Sequence, residues 1–495
     1  MAERKYDKIS AIARRRGFFW PSSELYGGLA GFYDYGPIGA LLKQNIEKVW
    51  KKIFIAQEGM LLLDTPNVMA DSVFQASGHL EHFADPLVTC TDCNTNFRAD
   101  KLVEEKLKIK TEAMGVDELN GAIIANGVAC PKCKGKLGEV YKFNLMFGTE
   151  VGPGEEKRIA YLRPETAQGA FVSFERLWEV ARKKLPFGAA LVGRSYRNEI
   201  SPRQGMIRLR EFSQAEAEVF FNPSDKKHPC FKEVEKEELN LLTIEEQKKG
   251  KSEKGEKFTA KEAVHKKIIK SELQAYYLTL AKQFFNRIGF PDSSMRCRQQ
   301  LSEERAHYSI DTWDIEIHSE DFGWIEVAAI ADRADYDLKR HSETAKKDLS
   351  VTIDGKKFLP HVMEASFGID RPFYLLLEHS LKAEGKRTLF KFKKKVAPFE
   401  AAVFPLVDKD KLPEKALDIY NMLLENNVMA QYDNSGNIGK MYARADEIGI
   451  PICVTIDHQT LKDDTVTVRY RDTTKQKRVH VKKNYEILHE IWEKD

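Results

Sequence analysis

The most specific chemistry in the chain is carried by two cysteine pairs, Cys90-Thr-Asp-Cys93 and Cys130-Pro-Lys-Cys133, with 36 residues between them. Each pair can offer two thiolates from one tight turn, and four thiolates suit a tetrahedral Zn²⁺. Such a zinc is structural, because Cys90, Cys93, Cys130 and Cys133 leave no open coordination position for a substrate. Two unrelated pairs of free or redox thiols would not need this matched spacing. Cys230, Cys297 and Cys453 are scattered singly, which suits buried, reduced thiols.

A second cluster lies in RSYRNEISPRQGMIRLREFSQAEAE, residues 194–218. Two strand-like segments around a loop containing Pro and Gly predict a β-hairpin. Alternate residues of a strand share a face, so Arg197 and Glu199 are expected to point one way, while Arg208, Arg210, Phe212, Gln214 and Glu216 line the partner. Guanidinium forks match phosphate oxygens, and a Phe ring stacks on a purine. A solvated face with cross-strand ion pairs accounts for any one of these residues but poorly for the set. No GxxxxGK[ST] occurs, and GGLAGFYDYGPIG follows no clear strand, so any nucleotide phosphates must be held by side chains. HVMEASFGIDRPF has the same logic: Glu364 and Ser366 alternate onto one face, Gly368 can turn the chain, and Arg371 opens a helix. A cation in a first helical turn is opposed by the macrodipole and makes sense beside a bound anion.

The elements that must position these groups are legible around them. Residues 37–58 read as an amphipathic helix, with Pro37 in its first turn, Ile38, Leu41, Leu42, Ile46, Val49, Ile53 and Phe54 at helical spacing, and Gly59 as its stop. MLLLD then reads as a strand. Residues 86–142 read as a small insertion around the cysteines, and 224–290, rich in Lys and Glu and containing QKKGKSEKGEK, as a solvated helical insertion with a mobile tip. HYSIDTWDIEIHS and GWIEVAAIA are strand-like, and RPFYLLLEHSL is helical. After KFKKK at 391–395 the pattern becomes βαβαβ, with helices near 413–427 and 438–448, which marks a separate α/β domain.

The whole chain sets outer bounds. Its 495 residues suffice for about three domains. Lys and Arg total 78 against 75 Asp and Glu, so net charge does not steer the protein onto a polyanion and a nucleic-acid surface must be local. MAERKYDKIS lacks the apolar run of a secretory signal, and no stretch approaches the roughly 18 apolar residues of a membrane span. These features predict a cytoplasmic protein with no membrane partner.

Read together, three segments resemble the three sequence motifs of class II aminoacyl-tRNA synthetases: the helix ending near Gly59 with LLLDTP, YRNEISPRQGMIRLREF, and EASFGIDR. The wording is similar to the glycyl-tRNA synthetase family of the archaeal and eukaryotic homodimeric type. LRPETAQG at 162–169 and ADRADYDL at 331–338 resemble its glycyl-specific elements. The resemblance implies an α+β fold: a class II antiparallel-sheet catalytic domain formed by 1–85, 143–222 and 291–393, interrupted by a zinc-binding insertion at 86–142 and a Lys/Glu-rich helical insertion at 223–290. A C-terminal α/β anticodon-binding domain would occupy 396–495, and the first motif would make a homodimer interface.

The activity so implied is glycine–tRNA ligation: ATP activates glycine as glycyl-adenylate, and glycine passes to the 3′ end of tRNA(Gly). In the family, residues matching Arg197, Arg208 and Arg371 are catalytic, Arg197 on the α-phosphate and the other two on the far phosphates. Phe212 would stack on adenine with Glu199 near its amino group, and Asn198, Leu209, Arg210, Glu211, Val327 and Gly368 complete the ATP site. Glu326 and Glu364 match acids beside ATP, its Mg²⁺ or the amino acid. Glu165, Glu216 and Ser366 match positions around the glycine ammonium and α-carbon, Arg333 the partner of its carboxylate, and Glu364 and Gly368 its neighbours. Lys440, Arg444, Arg469 and Arg471 are candidates for the anticodon stem and loop, and the Lys-rich 247–257 segment for tRNA phosphates. A noncatalytic relative would be expected to lose phosphate-binding arginines. An adenylating enzyme with another carrier would lack the last domain, and a serine, threonine or proline enzyme would lack LRPETAQG.

Overall fold

The computed structural model describes residues 4–111, 114–202, 205–250, 253–385, 387–481 and 488–491. Arg203 and Gln204 of the second motif, Lys251 and Ser252 of the Lys-rich run, and parts of the last domain's end lie outside the described residues.

A nine-stranded sheet forms the larger body. Its strands in chain order are β1 (Leu61–Leu63), β2 (Phe187–Tyr196), β3 (Glu211–Phe221), β4 (Glu238–Leu242), β5 (Glu256–Thr259), β6 (Met295–Gln299), β7 (Asp311–Ser319), β8 (Gly323–Ala334) and β9 (His361–Gly368). They lie in the order β5-β4-β6-β7-β8-β9-β3-β2-β1. All neighbours are antiparallel except β1 with β2 and β4 with β6. The last strand made, β9, is thus placed between β8 and β3 at the centre of the sheet.

Helix α1 (Lys5–Arg16) precedes α2 (Pro37–Lys51), which starts at Pro37 as expected and buries Ile38, Leu42, Ile46 and Trp50 along one stripe. It continues as a wider π-turn over Lys52–Gln57 before Gly59, whose φ of +67° turns the chain. Trp50 and Phe54 stack with ring centroids 4.6 Å apart, and both meet Phe367 of β9 edge-on. Helix α3 (Glu272–Ile288) is capped by the Ser271 hydroxyl, which accepts from the Gln274 amide.

That helix corrects one expectation. Residues 223–290 are not a solvated helical insertion: β4 and β5 extend the main sheet, and α3 buries Leu273, Tyr276, Leu280, Phe284 and Phe285 in the same core as α2. A lysine- and glutamate-rich average over the segment conceals a helix whose apolar residues occur on almost every side. Helix α4 (Tyr336–Ala345) follows β8, and α5 (Asp370–Ser380) follows β9 directly.

The cysteine segment is a compact module. Strands at Ala84–Cys90, Asn96–Arg98 and Leu137–Asn144 pair antiparallel, helices at Ala99–Leu107 and Val116–Ala125 cover them, and Val88, Leu102, Val103, Leu119 and Ile123 form its own small core. Beyond residue 400 a second sheet contains β10 (Ala401–Pro405), β11 (Ala430–Tyr432), β12 (Ile452–Ile456), β13 (Thr465–Tyr470) and β14 (Gln476–His480), in the order β11-β10-β12-β13-β14. Its first three strands are parallel and linked by α6 (Leu412–Glu425) and α7 (Ile438–Ile448), the βαβαβ unit expected, with two antiparallel strands added. A separate core supports it.

Candidate active site

Side chains alternating on one face of β3, β8 and β9 line a cleft of about 310 Å³. Register sets their juxtaposition: Gln214 faces Gly368, Glu216 faces Ser366, and Ser366 faces Ala329 across the three strands. Phe212 on β3 and Glu326 and Val327 on β8 complete one end. Arg197, Arg208 and Arg371 all open into this same cleft.

The arginines come from outside the strands, which corrects the expected alternation. Strand β2 ends at Tyr196 and β3 begins at Glu211, so Arg197, Asn198, Glu199, Arg208, Leu209 and Arg210 lie on the connecting loop, which includes a 3₁₀ turn at Gly205–Ile207. The Arg197 amide still bonds across to the Arg210 carbonyl, but beyond it the amides turn to other segments, Asn198 to the Leu145 carbonyl and Arg210 to that of Gly31, which ends the ladder. Arg197 lies over the Phe212 and Phe83 rings at 5.2 and 5.4 Å, with Nε on the Pro164 carbonyl at 3.2 Å. Arg208 reaches the Glu199 carboxylate through Nε at 2.7 Å and Nη2 at 2.6 Å. Arg371 is anchored by Nε to the Ile207 carbonyl at 3.0 Å and by Nη1 to that of Glu326 at 2.8 Å.

Three expected neighbours are engaged elsewhere. Arg210 braces the loop, donating to the Glu199 and Ala30 carbonyls. Glu211 sits beside Arg194 at 3.6 Å, on the opposite side of the sheet. Asn198 is engaged through its backbone and does not line the cleft.

The other end of the cleft is acidic and deeply buried. Glu216 Oε2 accepts from the Thr166 and Ala167 amides at 2.7 and 2.8 Å and from the Thr166 hydroxyl at 2.6 Å, while Oε1 accepts from Gln214 at 3.0 Å and Ser366 at 2.7 Å. This one carboxylate therefore pins the 164–168 loop to the sheet. Gly193 helps, since a Cβ there would sit 2.2 Å from the Arg163 guanidinium that bonds the Arg194 and Thr65 carbonyls. Glu165 lies opposite, its Oε1 accepting from Gln168 at 2.8 Å.

Arg333 is wholly buried and does not line the cleft. It gives Nε and Nη2 to Asp337 at 2.7 and 2.8 Å, Nη1 to Glu364 at 2.8 Å, and Nη2 to Glu165 at 3.5 Å, with the Tyr308 ring 3.6 Å from its guanidinium carbon. Burial opposes ionisation of Glu165, but Arg333, His79, the Gln168 hydrogen bond and Arg197 together outweigh it and hold that carboxyl at about 2. Glu364 is pushed up to about 8, by burial first and then by Glu216 and Glu165, against the pull of Arg333. Burial lowers the neighbouring His79 to about 4. A positively charged amine entering here would meet two carboxyl groups held by one guanidinium.

The four cysteines fit a metal. Cys90 Sγ lies 3.5 Å from Cys133 Sγ and Cys93 Sγ 3.7 Å from Cys130 Sγ, with all four sulfurs within 4.8 Å of one another. Tetrahedral Zn–S bonds of about 2.3 Å imply sulfur separations of about 3.8 Å. The two turns match: the Asn94 amide bonds to the Cys90 carbonyl and the Lys134 amide to the Cys130 carbonyl, with Asn94 and Lys134 both left-handed. The module also touches the arginine loop, through Leu145 O to the Asn198 amide and Asn96 O to the Ser201 hydroxyl at 2.8 Å.

Family models match in two places: a tRNA synthetase class II core domain (G, H, P, S and T) at residues 141–261 and an anticodon binding domain at 400–491. A glycine–tRNA ligase from Thermococcus kodakarensis is 46% identical with 98% of each chain covered. The chain belongs to the glycine–tRNA ligase family. Glycine–tRNA ligases of Pyrococcus horikoshii and Methanocaldococcus jannaschii are 45% and 44% identical, again over 98% of each chain. The fold is likewise that of class II synthetases. A Giardia lamblia prolyl-tRNA synthetase solved with prolyl-adenylate superposes with a TM-score of 0.60 at 14% identity, covering 97% of this chain and 74% of that one. A Cryptosporidium parvum structure described as the RNA binding domain of threonyl-tRNA synthetase gives 0.60 at 17% identity, with 98% and 97% covered.

Several residues of this glycine–tRNA ligase cleft escaped the sequence reading. Gln300, Glu304 and Tyr308 of the β6–β7 connection and Thr312 at the start of β7 form a wall; only Thr312, in phase with Asp314 and Glu316 on DTWDIE, carries a periodic signal. Conversely, two proposed anticodon contacts are structural. Arg469 is buried against Asp446 at 3.0 and 3.1 Å, and Arg471 donates to the Gly449 and Phe392 carbonyls at 2.7 Å. Arg444 is paired with Asp433, and Lys440 is exposed at the start of α7. Among the described residues no helix is long and apolar enough to cross a membrane.

Proposed function

We propose that this cleft binds ATP along its arginine-lined end and glycine at its acidic end, and performs both steps of glycine–tRNA ligation. The observation that carries the reading is that Arg197 and Arg208 of the β2–β3 loop and the remote Arg371 of α5 open into one cavity with Glu364 and Ser366. In the first step the glycine carboxylate attacks the α-phosphorus, pyrophosphate leaves, and a mixed anhydride forms. The nucleophile is already an anion, so alignment and charge neutralisation dominate. Arg197 serves the α-phosphate. Arg208 and Arg371 serve the outgoing phosphates, Arg208 exchanging its Glu199 partner for them. Phe212 offers a face to adenine, with Glu199, Leu209, Val327 and Gly368 around the nucleotide. Glu326, half-exposed in the cleft, has the hard oxygen donors to hold Mg²⁺, which supplies charge neutralisation on the phosphates when bound. In the second step a ribose hydroxyl at the tRNA 3′ end attacks the anhydride and AMP departs.

Glycine offers no side chain to grip, and a permissive pocket discriminates a methylene by only ~1–3 kcal/mol. Glu165, Glu364 and Ser366 crowd the α-carbon while binding the ammonium, and Glu216 fixes the loop that carries Glu165. Arg333 acts on glycine through the acids it holds.

The domain reading follows: a catalytic body from 1–85, 143–222 and 291–393, joined by the sheet strands and α3 of 223–290; a structural zinc module at 86–142; and an anticodon-binding domain at 396–495, with Lys440 and the 247–257 lysines as tRNA phosphate contacts. Exposed Leu25 and Tyr26, each 87% exposed, and Leu62 on the sheet's edge strand support a homodimer, and its setting is the cytoplasm. Pyrophosphate exchange across the twenty amino acids, followed by charging of total tRNA, tests the function: glycine alone scores in both steps, and exchange with serine or alanine overturns it. Glu165→Ala and Ser366→Ala raise the glycine KM or admit alanine; an unchanged KM with alanine still excluded removes them from the site.

A further inference from the structure

One carboxyl under the cleft has no role in the reaction as derived so far. Glu218 is fully buried, and neither of its oxygens has a hydrogen-bond partner in the protein. It follows Glu216 on the same face of β3 and stands directly across from Glu364 on β9, with Ala189 of β2 on its other side. Such partners are about 4.5–5.5 Å apart at Cα, so two glutamate side chains on one face can meet at their ends. The charged groups facing Glu218 are Glu216 on its own strand, Glu364 on β9, Arg333 on β8 and Asp337 on α4. The guanidinium is already engaged by Asp337, Glu364 and Glu165. A carboxylate stripped of all donors and surrounded by other acids cannot stay ionised, so Glu218 is a neutral acid with an O–H to give.

Glu364 has a matching need. Arg333 meets its Oε1, and Oε2 takes no hydrogen bond from the described residues. To bind an ammonium it must be a carboxylate in a place that favours its neutral form. We propose that Glu218 is a positioning residue for glycine capture, turning its neutral carboxyl O–H onto Glu364 when the ammonium arrives and so orienting and stabilising that carboxylate. The proton of Glu364 leaves to solvent, and the proton of Glu218 stays on Glu218 throughout. This rests on the reading that glycine sits against Glu364.

The test uses the full-length protein and the pH dependence of kcat/KM for glycine in pyrophosphate exchange, with the ATP KM as a control for intact folding. Glu218→Gln keeps a neutral donor and is expected to stay within about threefold of the wild type, whereas Glu218→Met fills similar space without donating. The methionine variant is expected to raise the glycine KM roughly tenfold, the worth of one hydrogen bond to a charged group, and to move the acidic limb of the profile about one unit upward. Glu364→Gln is expected to raise the glycine KM in every background. Equal damage from Glu218→Gln and Glu218→Met overturns the proposal, because Glu218 then acts as a negative charge; wild-type profiles for both overturn it as well. If Glu364→Gln leaves glycine binding unchanged, the placement of glycine itself has failed, and the role of Glu218 with it.

Discussion

Replacing Arg333 with lysine separates scaffold from substrate contact. The guanidinium makes four hydrogen bonds to three buried carboxyl groups, two of them to Asp337. A lysine ammonium keeps the charge but has no planar fork, and from this position it can satisfy Asp337 or Glu364, not the full set. At least two charged hydrogen bonds are lost at ~1.5–3 kcal/mol each, so a destabilisation of about 3–5 kcal/mol is expected, the range for breaking a buried ion pair. If about 3 kcal/mol of that is felt where Glu165 and Glu364 meet the ammonium, glycine binding weakens by roughly a hundredfold. The decisive assay compares glycine with aminoethanol, which has the ammonium and lacks the carboxylate, as substrate and competitive inhibitor in pyrophosphate exchange. A scaffold role predicts that Arg333→Lys weakens both equally, with a lowered unfolding midpoint. Weakened glycine with unchanged aminoethanol binding would refute this and return Arg333 to the substrate carboxylate.

Three further outcomes follow from the same geometry. The purified protein should contain stoichiometric zinc, and its removal by a chelator, or Cys130→Ser, should disorder residues 84–144 and raise the ATP KM roughly tenfold through the lost Leu145 and Asn96 contacts to the arginine loop, each worth ~0.5–1.5 kcal/mol; an unchanged ATP KM in zinc-free protein would disconnect the two. His79, buried and lowered to about 4 against an unfolded value near 6.5, contributes about 3 kcal/mol of stability that is present above pH 6.5 and lost as pH falls toward 4. Denaturant melts at pH 7.5 and 5 should show about 2 kcal/mol of that loss in the wild type and a smaller one in His79→Leu. Asp446→Asn strands Arg469 and Arg387, both bonded to that carboxylate, and should cost about 3–5 kcal/mol. Charging of tRNA should then fall while glycine-dependent pyrophosphate exchange persists, and equal loss of both would argue against a separate role for the last domain.

Much of the architecture was legible because it rests on local rules. Pro37 and an apolar stripe define α2, paired cysteines at short spacing define the two cysteine turns, and alternation of strand and helix defines the last domain. The hairpin loop departs from the expected strands for a physical reason: residues 197–210 alternate like a strand, but the Asn198 and Arg210 amides bond to Leu145 and Gly31, partners remote in sequence. Helix α3 was hidden by averaging, since the apolar run that holds Tyr276, Leu280 and Phe284 follows a long stretch rich in lysines and glutamates. Arg469 looks like any surface cation until Asp446 is beside it. Glu218 was written within the hairpin segment, yet nothing in its spacing distinguishes a glutamate with no partner from one that has several.

Because β9 is hydrogen-bonded to β8 on one side and β3 on the other, the two halves of the main sheet share no ladder until residues 361–368 exist. A growing chain on the ribosome can assemble β2 with β3, and β7 with β8, long before that. The acidic end of the cleft, where glycine is proposed to bind, straddles the seam between them. On that proposal, affinity for glycine appears all at once, near the end of synthesis of the body, and is itself a readout that the seam has closed.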